Sequence, residues 1–372
     1  MQSSSISLLG AALLLPLANI VEAASPPERA QVSFKYLDYQ DYQTDQDRVG
    51  VKSPAVAITL PFAESWSLNS AYVSDSISGA SPRYYTYDSR GHFSEFKDLR
   101  KALDLALTKY FARGTLTLGT NYSHESDYLS RGYSIQGTAS SENNNSTLNL
   151  GVSVSNDDIN PSNHIVVNEK KHVIDWVVGL THALTPQDVM QINLGYSAGS
   201  GYFNDPYKAF DVRPASKDHT TLMFRWNHYF TDLQLTSHLA YRFYNDTFGV
   251  NAQTINFELV KPLSNGWTVM PLLRVYAQTA ADFYREANPA DRPAITFPDS
   301  SSQYSSLDQR LSGFGAITYG LKVTKAIGND WVLDVKYEKY QQKTAWNFVG
   351  HASQGLDSFE AKTMQLGVTR YF

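Results

Sequence analysis

The sequence has 372 residues, a net charge of −5 and no cysteine, so disulfide frameworks, cysteine-ligated zinc, iron–sulfur clusters and thiol chemistry are excluded. Positive and negative residues are mixed along the chain without a basic block, so the electrostatic footprint of a nucleic-acid-binding protein is absent. Beyond the N-terminal region no segment of about 18 consecutive apolar residues occurs, and transmembrane helices are not expected.

The first element in the chain is a predicted export signal. Residues 6–21 form an apolar run, and Val21 and Ala23 supply the small-x-small pattern that precedes a cleavage site. No Lys or Arg precedes the run, as it would in a typical signal, and a buried N-terminal helix is the alternative interpretation. We predict that residues 1–23 are a signal peptide and that residues 24–372 form the exported domain.

From residue 31 onward, apolar residues recur with a period of two, which predicts β-strands with one apolar face. The segment 99–111 is the clearest example, with Leu99, Leu103, Leu105 and Phe111 at odd positions. In water such a face needs a covering layer, whereas lipid covers it in a membrane barrel. Sixteen strands are predicted, at 31–39, 51–62, 66–74, 99–111, 115–125, 131–140, 146–156, 172–184, 189–199, 218–230, 233–245, 250–263, 267–278, 313–327, 331–342 and 358–372.

The connections alternate between short turns and mostly longer loops. Seven are tight turns, several with the Gly, Asn and Asp residues that hairpins favour, as at 264–266 and 328–330. The longest loops are 75–98, 200–217 and 279–312. This pattern predicts an all-β fold: a single transmembrane antiparallel up-and-down β-barrel of about 16 strands in the outer membrane of a Gram-negative bacterium, with both termini periplasmic. A soluble four-bladed propeller is the rival fold, but it gives no reason for one apolar and one polar strand face.

A basic residue recurs two positions before the end of the strands that run into the short turns. A cation on the lipid face costs roughly 2–4 kcal/mol at the bilayer midplane but about 0–1 kcal/mol near the interface, so these residues are expected at the membrane edge. Tryptophans begin three of the following strands and favour the same height. We predict a periplasmic interface girdle formed by Lys109, His182, His228, Lys261, Lys325, Arg370, Trp66, Trp267 and Trp331.

The last strand places Met364, Leu366 and Val368 on one face and ends with Phe372. An amphipathic C-terminal strand that ends in an aromatic residue resembles the assembly signal of bacterial outer-membrane barrels. The barrel assembly machinery is therefore an expected partner, together with the lipid bilayer and lipopolysaccharide, and nucleic acid is not.

Strand parity directs a set of charged side chains into the lumen. A lumen charge ladder, defined as Arg225, Arg242, Glu258 and Arg274, comes from four consecutive strands. In a water-filled pore the ladder selects anions or binds an acidic solute. In the alternative interpretation it is a salt-bridged wall that holds the strand register, with Glu258 between two arginines.

No catalytic, cofactor or metal site is predicted. Ser94 and Lys97 match a Ser-x-x-Lys pattern, but the pattern is short and lies in a loop. The histidines show no His-Glu-x-x-His spacing. His182 and His228 fit the interface rule better than metal ligation.

Four segments of the chain, in the same order, resemble the bacterial family catalogued as domain of unknown function 3570. They are 72–82, 204–208, 281–284 and 311–320. The resemblance extends over most of the exported domain and implies an outer-membrane barrel of uncharacterised activity. The segments fall in loops or at loop mouths, including Ser78–Pro82 and Asp205–Tyr207, and they either shape a pore or ligand site or only fix turns at the rim.

Three functions are compatible with these observations. The first is a porin-like passive channel for small polar solutes, because sixteen strands enclose a lumen too wide for side chains alone to fill. The alternative is a non-conducting scaffold that holds a periplasmic or lipoprotein partner, for example one linked to redox chemistry. An outer-membrane hydrolase is the third.

Overall fold

The computed structural model describes residues 25–43, 46–80, 95–208, 211–286, 303–354 and 356–372. The predicted signal peptide lies outside the described residues, as do Ser94, the Ser81–Pro82 part of one family segment and most of the middle of the loop predicted at 279–312. Within the described part of the chain, no helix is both long enough and apolar enough to cross a membrane.

The described residues form sixteen β-strands, as predicted, with three single 3-10 turns at 264–266, 309–311 and 344–346. The strands are β1 Gln31–Gln43, β2 Gln46–Phe62, β3 Trp66–Ala80, β4 Glu95–Phe111, β5 Gly114–His124, β6 Tyr128–Ser140, β7 Ser146–Ile159, β8 Glu169–Ala183, β9 Asp188–Gly201, β10 Ser216–Phe230, β11 Leu235–Asp246, β12 Asn251–Pro262, β13 Trp267–Gln278, β14 Phe314–Ile327, β15 Trp331–Lys343 and β16 Phe359–Tyr371.

Every strand pairs antiparallel with its neighbours in sequence, and β1 pairs with β16, so the sheet is a closed barrel. The closing seam runs in register from Gln31 opposite Tyr371 to Gln43 opposite Phe359. Closure leaves no unpaired strand edge, as a membrane-spanning sheet requires. The predicted up-and-down barrel of sixteen strands is confirmed, and the propeller is excluded because its blades would be separate sheets.

The two ends of the barrel differ. Seven short connections lie at one end, here called the turn end, and several use backbone with positive φ, such as Asn265 (59°) and Gly328 (59°). The other end, here called the loop end, carries eight connections, of which 44–45, 125–127 and 247–250 are as short as the turns. The start of β1 and the end of β16 lie at the turn end, where the Phe372 amide donates to the Ala30 carbonyl (2.9 Å).

Apolar side chains cover the outer face of the barrel, and no described segment of the chain packs over them. Leu118 is 50% exposed, Leu194 50% and Leu321 44%, and these positions alternate with polar or small residues that face inward. The strand period of two therefore separates an oily exterior from a polar interior.

The strands are longer at the loop end than the alternation predicts. β2 begins at Gln46 rather than at 51, and β4 at Glu95 rather than at 99. Polar residues occupy both faces in these extensions because they lie above the apolar belt, so the period-two signal fades there although the backbone pairing continues.

Candidate functional site

The predicted girdle residues all lie at the turn end. Three tryptophans stand directly opposite a base on the adjacent strand: Trp66 opposite Lys109, Trp267 opposite Lys325 and Trp331 opposite Arg370. The cations lie over the indole rings, at 4.9, 5.1 and 5.1 Å from the ring centroids respectively. At a membrane edge this arrangement lets the apolar stem rest on the ring while the charge reaches water.

The two girdle histidines have other partners. His228 Nδ1 lies 2.7 Å from Asp188, which also accepts the indole N–H of Trp226 (2.9 Å). His182 Nδ1 lies 2.7 Å from the hydroxyl of Ser146. This Ser–His pair is on the outer face at the turn end. The sixth base, Lys261, donates to the Leu233 carbonyl.

The C-terminal strand presents its predicted apolar face outward. Met364 is 48% exposed, Leu366 44% and Phe372 58%, and Val368 lies on the same face. The Arg370 guanidinium lies 4.6 Å from the Phe372 ring centroid, as well as over Trp331.

The lumen charge ladder lies on the inner face near mid-height. Glu258 faces His238 (Oε1–Nδ1 3.2 Å), and no ion pair within 4 Å joins Glu258 to an arginine in the described chain. Arg274 Nε donates to Asn256 (2.6 Å), and an Arg242 terminal nitrogen lies 3.5 Å from the Thr254 hydroxyl. Arg242 and Arg274 therefore contact neutral partners, whereas Glu258 acts electrostatically on Arg225. The role of the ladder in selectivity or in register stays a prediction.

The two walls of the lumen carry different charges. Lys322 stands directly opposite Lys336 in register, and among the described residues a close carboxylate is found only for Lys336, which pairs with Glu338 at 2.9 Å. Such a like-charge pair is tolerable only where water screens it. The wall from β10 round to β1, here called the basic wall, presents six basic and three acidic side chains near mid-height. They are Lys35, Arg225, Arg242, Arg274, Lys322 and Lys336, with Glu258, Asp334 and Glu338.

The wall from β2 to β9 presents the acids Asp104 and Asp175 at mid-height, together with amides and hydroxyls. Asp104, Asn121 and Gln136 are exposed on this wall, and Arg242 and Arg274 are exposed on the basic wall. Inward-facing residues with this exposure show that the lumen is not filled by side chains at these positions.

Sequence reasoning missed a repeat on the inner face of the basic wall. On four strands an inward tyrosine donates its hydroxyl hydrogen bond to a carboxylate or amide oxygen two residues further along the strand. The pairs and their distances are Tyr39–Asp41 (3.1 Å), Tyr244–Asp246 (2.8 Å), Tyr276–Gln278 (2.5 Å) and Tyr340–Gln342 (2.8 Å). The Tyr-x-Asp/Gln spacing is visible in the sequence, although only the strand parity reveals that all four tyrosines face inward.

The first family segment contributes one partner of a buried ion pair. Asp75 is 2% exposed and Arg100 is 4% exposed. Arg100 Nε donates to Asp75 Oδ2 at 2.7 Å, and the Ser53 hydroxyl donates to the other carboxylate oxygen. The pair links β2, β3 and β4 on their inner face towards the loop end.

The other family segments meet in a structure that we call the loop cap, defined as the described parts of 202–215 and 279–313. Val212 and Ser305 form an antiparallel bridge between the two loops. Asp308 is completely buried and pairs with Arg213 (2.8 Å) and with Arg310, while Arg310 also reaches Asp205 (2.8 Å). Burial acts to raise the pKa of Asp308, but Arg310, Lys208 and Arg213 outweigh it and hold that pKa well below its ordinary value.

Apolar contacts hold the same loops to the barrel rim. Phe248 packs edge to face against Phe203 and Phe283, with ring centroids 6.1 and 5.0 Å away. The inward-facing Gln278 amide donates to the Arg310 and Ser312 carbonyls (2.9 and 2.7 Å). The returning limb of the longest loop is thereby fixed at the inner edge of the barrel mouth.

The Asp205–Tyr207 segment connects four loops. The Asp205 carboxylate accepts from the Tyr207 amide (3.1 Å), which is a local turn contact, and also pairs with Arg310. The Tyr207 hydroxyl donates to Asp127, and the Ser162 amide donates to that hydroxyl (3.0 Å). The segment therefore fixes a turn and also joins loops 125–127 and 160–168 to the loop cap.

An acidic cluster lies beside this junction. One carboxylate oxygen from each of Asp98, Glu125 and Asp127 lies within 4.8 Å of the others. Burial, with Asp98 and Asp127 nearby, raises the pKa of Glu125 from 4.5 to about 7, partly offset by Arg100. The cluster is consistent with a shared proton or with a cation, and the prediction that the chain lacks a metal site stays untested.

Comparisons with known proteins agree with this architecture. The family profile described as a protein of unknown function (DUF3570) matches residues 3–89 and 90–362. No curated protein matches the sequence. Solved structures with a similar fold include a bacterial polysaccharide outer membrane secretin (8% identity, TM-score 0.52, 92% of this chain and 98% of that chain covered), the CymD monoaromatic hydrocarbon channel (8%, 0.48, 98% and 93%) and OccD3 (OpdP) of Pseudomonas aeruginosa (10%, 0.44, 95% and 93%).

At such identities the likeness to solved structures concerns the fold alone, which is that of outer-membrane β-barrels. The family match covers nearly the whole chain and agrees with the resemblance found in the four segments. The chain belongs to the family of proteins of unknown function DUF3570.

Proposed function

We propose that the protein is a porin-like passive channel for small polar solutes in the bacterial outer membrane. The observation that carries the proposal is the lumen surface: Asp104, Gln136, Arg242 and Arg274 face inward at mid-height and are exposed. A barrel whose lumen were filled by its own side chains would bury these groups. The lumen therefore offers a polar, accessible surface to water and small polar solutes.

The proposed orientation places the turn end and both termini in the periplasm. The girdle of tryptophans and bases then marks the periplasmic membrane edge, and the loop cap faces outward among the lipopolysaccharide headgroups. Cysteines introduced at Asn329 and at His164, which lie at opposite ends, test this orientation by labelling intact cells with an impermeant maleimide. Labelling confined to His164→Cys is expected, and labelling confined to Asn329→Cys contradicts the orientation.

Conductance across planar bilayers tests the channel directly. Purified refolded barrel is expected to give stepwise conductance, and liposomes that contain it are expected to swell in isotonic solutions of small polar solutes. Heat-modifiable migration on SDS–PAGE confirms that the protein used is folded. A folded barrel that gives neither steps nor swelling refutes the channel, and co-purification of a periplasmic protein or lipoprotein in mild detergent would then favour the scaffold.

A further inference from the structure

We propose that the lumen binds and conducts small planar organic anions, such as aryl carboxylates, with the ring on a tyrosine belt and the acid group on an arginine pair. The tyrosine belt is Tyr39, Tyr244, Tyr276 and Tyr340, and the arginine pair is Arg242 and Arg274. The inference rests on the proposed channel and names its solute class.

The belt lies at one height around the basic wall. Tyr244, Tyr276 and Tyr340 each follow the first residue of their strand by nine positions, and Tyr39 follows Gln31 by eight. All four strands start at the turn end, so equal position in the strand means similar height in the barrel. The tyrosines occupy β1, β11, β13 and β15, which are alternate strands of this wall.

The hydroxyl hydrogen bonds fix the direction of the rings. Each acceptor lies two residues towards the loop end on the same strand, so each phenol is drawn along the wall rather than across the lumen. A ring laid along the wall offers a face to a solute, and half-buried exposure of the tyrosines leaves part of each ring accessible. The hydrogen bonds also satisfy the hydroxyls, so the surface left for contact is apolar.

Neighbouring rings extend the belt. His219 lies 5.2 Å from Tyr244, Phe314 lies 5.7 Å from Tyr276, and Phe359 lies 5.9 Å from Tyr340, measured between ring centroids. Phe314 is buried (7% exposed) and only packs against Tyr276, whereas the partly exposed rings of His219 and Phe359 add to the aromatic surface of this wall. A planar solute can therefore stack on an aromatic ring at several positions along the basic wall.

The arginine pair lies two residues below the belt on the same strands. A rise of about 3.3 Å per residue separates Arg242 from Tyr244, and Arg274 from Tyr276, by about 6.6 Å along the wall. Neither guanidinium has a carboxylate within 4 Å in the described chain, and Arg274 uses only Nε, on Asn256. The planar fork of a guanidinium suits a carboxylate, which binds through two parallel hydrogen bonds.

The acids of this wall are engaged or buried, which decides the sign of the preference: Asp334 is only 7% exposed and is therefore not available to a solute. Asp246 accepts from Tyr244 and pairs with Lys217 (3.0 Å), Glu258 faces His238, and Glu338 pairs with Lys336. A cationic aryl solute would thus meet the free arginines without a free carboxylate. An aryl carboxylate can stack its ring on the tyrosines and pair its carboxylate with the arginines.

Proteoliposome flux tests the proposal with benzoate, acetate and benzylammonium as probes. The native barrel is expected to pass benzoate faster than acetate, and both faster than benzylammonium. The R242Q/R274Q variant is expected to lose about tenfold of the preference for benzoate over benzylammonium, equivalent to about 1.4 kcal/mol. The Y244L/Y276L variant is expected to lose the preference for benzoate over acetate while keeping the preference for anions.

Two controls keep the test specific. Lys101→Gln, which removes a positive charge from the outer face of β4, is expected to leave both benzoate preferences unchanged. Y244F/Y276F keeps the rings while removing the hydroxyl bonds if the leucine variant does not fold. Unchanged selectivity in R242Q/R274Q overturns the inference although the channel stands. If no solute passes, the channel and the proposed conduction of anions both fail. Calorimetric titration of the detergent-solubilised barrel with benzoate then tests the binding site alone: binding that R242Q/R274Q abolishes supports the site, and absence of binding overturns it.

Discussion

Arg100 Nε donates to the Asp75 carboxylate at 2.7 Å between two adjacent strands, and both side chains are almost completely buried. A buried charge without its partner is strongly destabilising because nothing replaces the lost solvation. We therefore expect Asp75→Asn to lower the free energy of unfolding by about 3–5 kcal/mol. Urea unfolding in lipid vesicles measures it.

The double variant D75N/R100Q is the informative control for this pair. Removing both charges restores electrical balance, so the double variant is expected to be more stable than Asp75→Asn alone. A double variant that is less stable than the single one would show that the pair does not act as a unit.

The cation–π contact between Lys109 and Trp66 is expected to stabilise the turn end. Lys109→Met removes that contact and the hydrogen bond from Lys109 Nζ to the Ser65 hydroxyl (2.6 Å), which together are worth about 1 kcal/mol. The same urea titration detects the loss. Lys101→Met, which changes an exposed lysine near the loop end of the same strand, is expected to have a smaller effect, and equal effects would argue against a contribution from the tryptophan.

The loop cap is expected to loosen when Asp308 loses its charge. Asp308→Asn leaves Arg213 and Arg310 without the buried carboxylate that joins them, so the two loops should separate more often. Amide hydrogen exchange at 211–213 and 303–312 should increase by at least severalfold, while exchange at mid-barrel stays constant. Asp232→Asn, at an exposed turn, is the matched control, and unchanged exchange in Asp308→Asn would exclude a clamping role.

Glu125 is expected to make the rim sensitive to pH. Burial raises its pKa from 4.5 to about 7, so between these values the folded state holds a proton that the unfolded state has released. Stability attributable to this group is therefore complete below about pH 4.5 and is lost as the pH rises through 7, by about 3 kcal/mol at most.

Glu125→Gln removes this dependence because the amide is neutral throughout. Its melting temperature in detergent should match that of the native protein at pH 4 and exceed it at pH 8. Glu142→Gln, whose side chain is 91% exposed at the turn end, should show no such crossover. A native protein whose stability rises between pH 5 and 8 relative to Glu125→Gln would contradict the assignment.

Phe372 is expected to matter for assembly rather than for the stability of the finished barrel. Its ring is 58% exposed and contacts Arg370, so Phe372→Ala removes little buried surface. The amount of folded protein in outer-membrane fractions should fall severalfold, whereas refolding of purified protein in detergent should be unaffected. Phe348→Ala, 50% exposed in a loop, is the control, and equal outer-membrane levels for both variants would count against an assembly signal.

The fold was predictable because the membrane imposes a simple rule on each strand. In 99–111 the odd residues meet lipid and the even residues meet the lumen, and this alternation fixed both the strand and its two faces. The distances of Trp66 and Lys109 from the nearest turns predict that both lie at the same height in the membrane, and the strand register places them opposite each other. Local patterns sufficed because neighbouring strands pair in sequence order.

The loop cap was not predictable from local patterns. Asp308 pairs with Arg213, about a hundred residues earlier, and both lie in loops without periodicity. Likewise, the sequence places Glu258 between two arginines, but the contact of Glu258 is with His238, and Arg242 and Arg274 contact a hydroxyl and an amide. The odd or even position of a residue in its strand predicts which face of the barrel its side chain is on. Its contact partners depend in addition on the strand register and on the length of each side chain.

The seam between β1 and β16 places Ala30 beside Phe372, at hydrogen-bonding distance. A few linking residues would therefore join the two ends without moving either strand, and fresh ends opened at Gly328–Asp330 would leave every strand pair intact. The order in which the strands are synthesised can therefore be changed without changing which strands pair. A circularly permuted chain would form the same sixteen-stranded barrel, but the barrel would close between a different pair of strands.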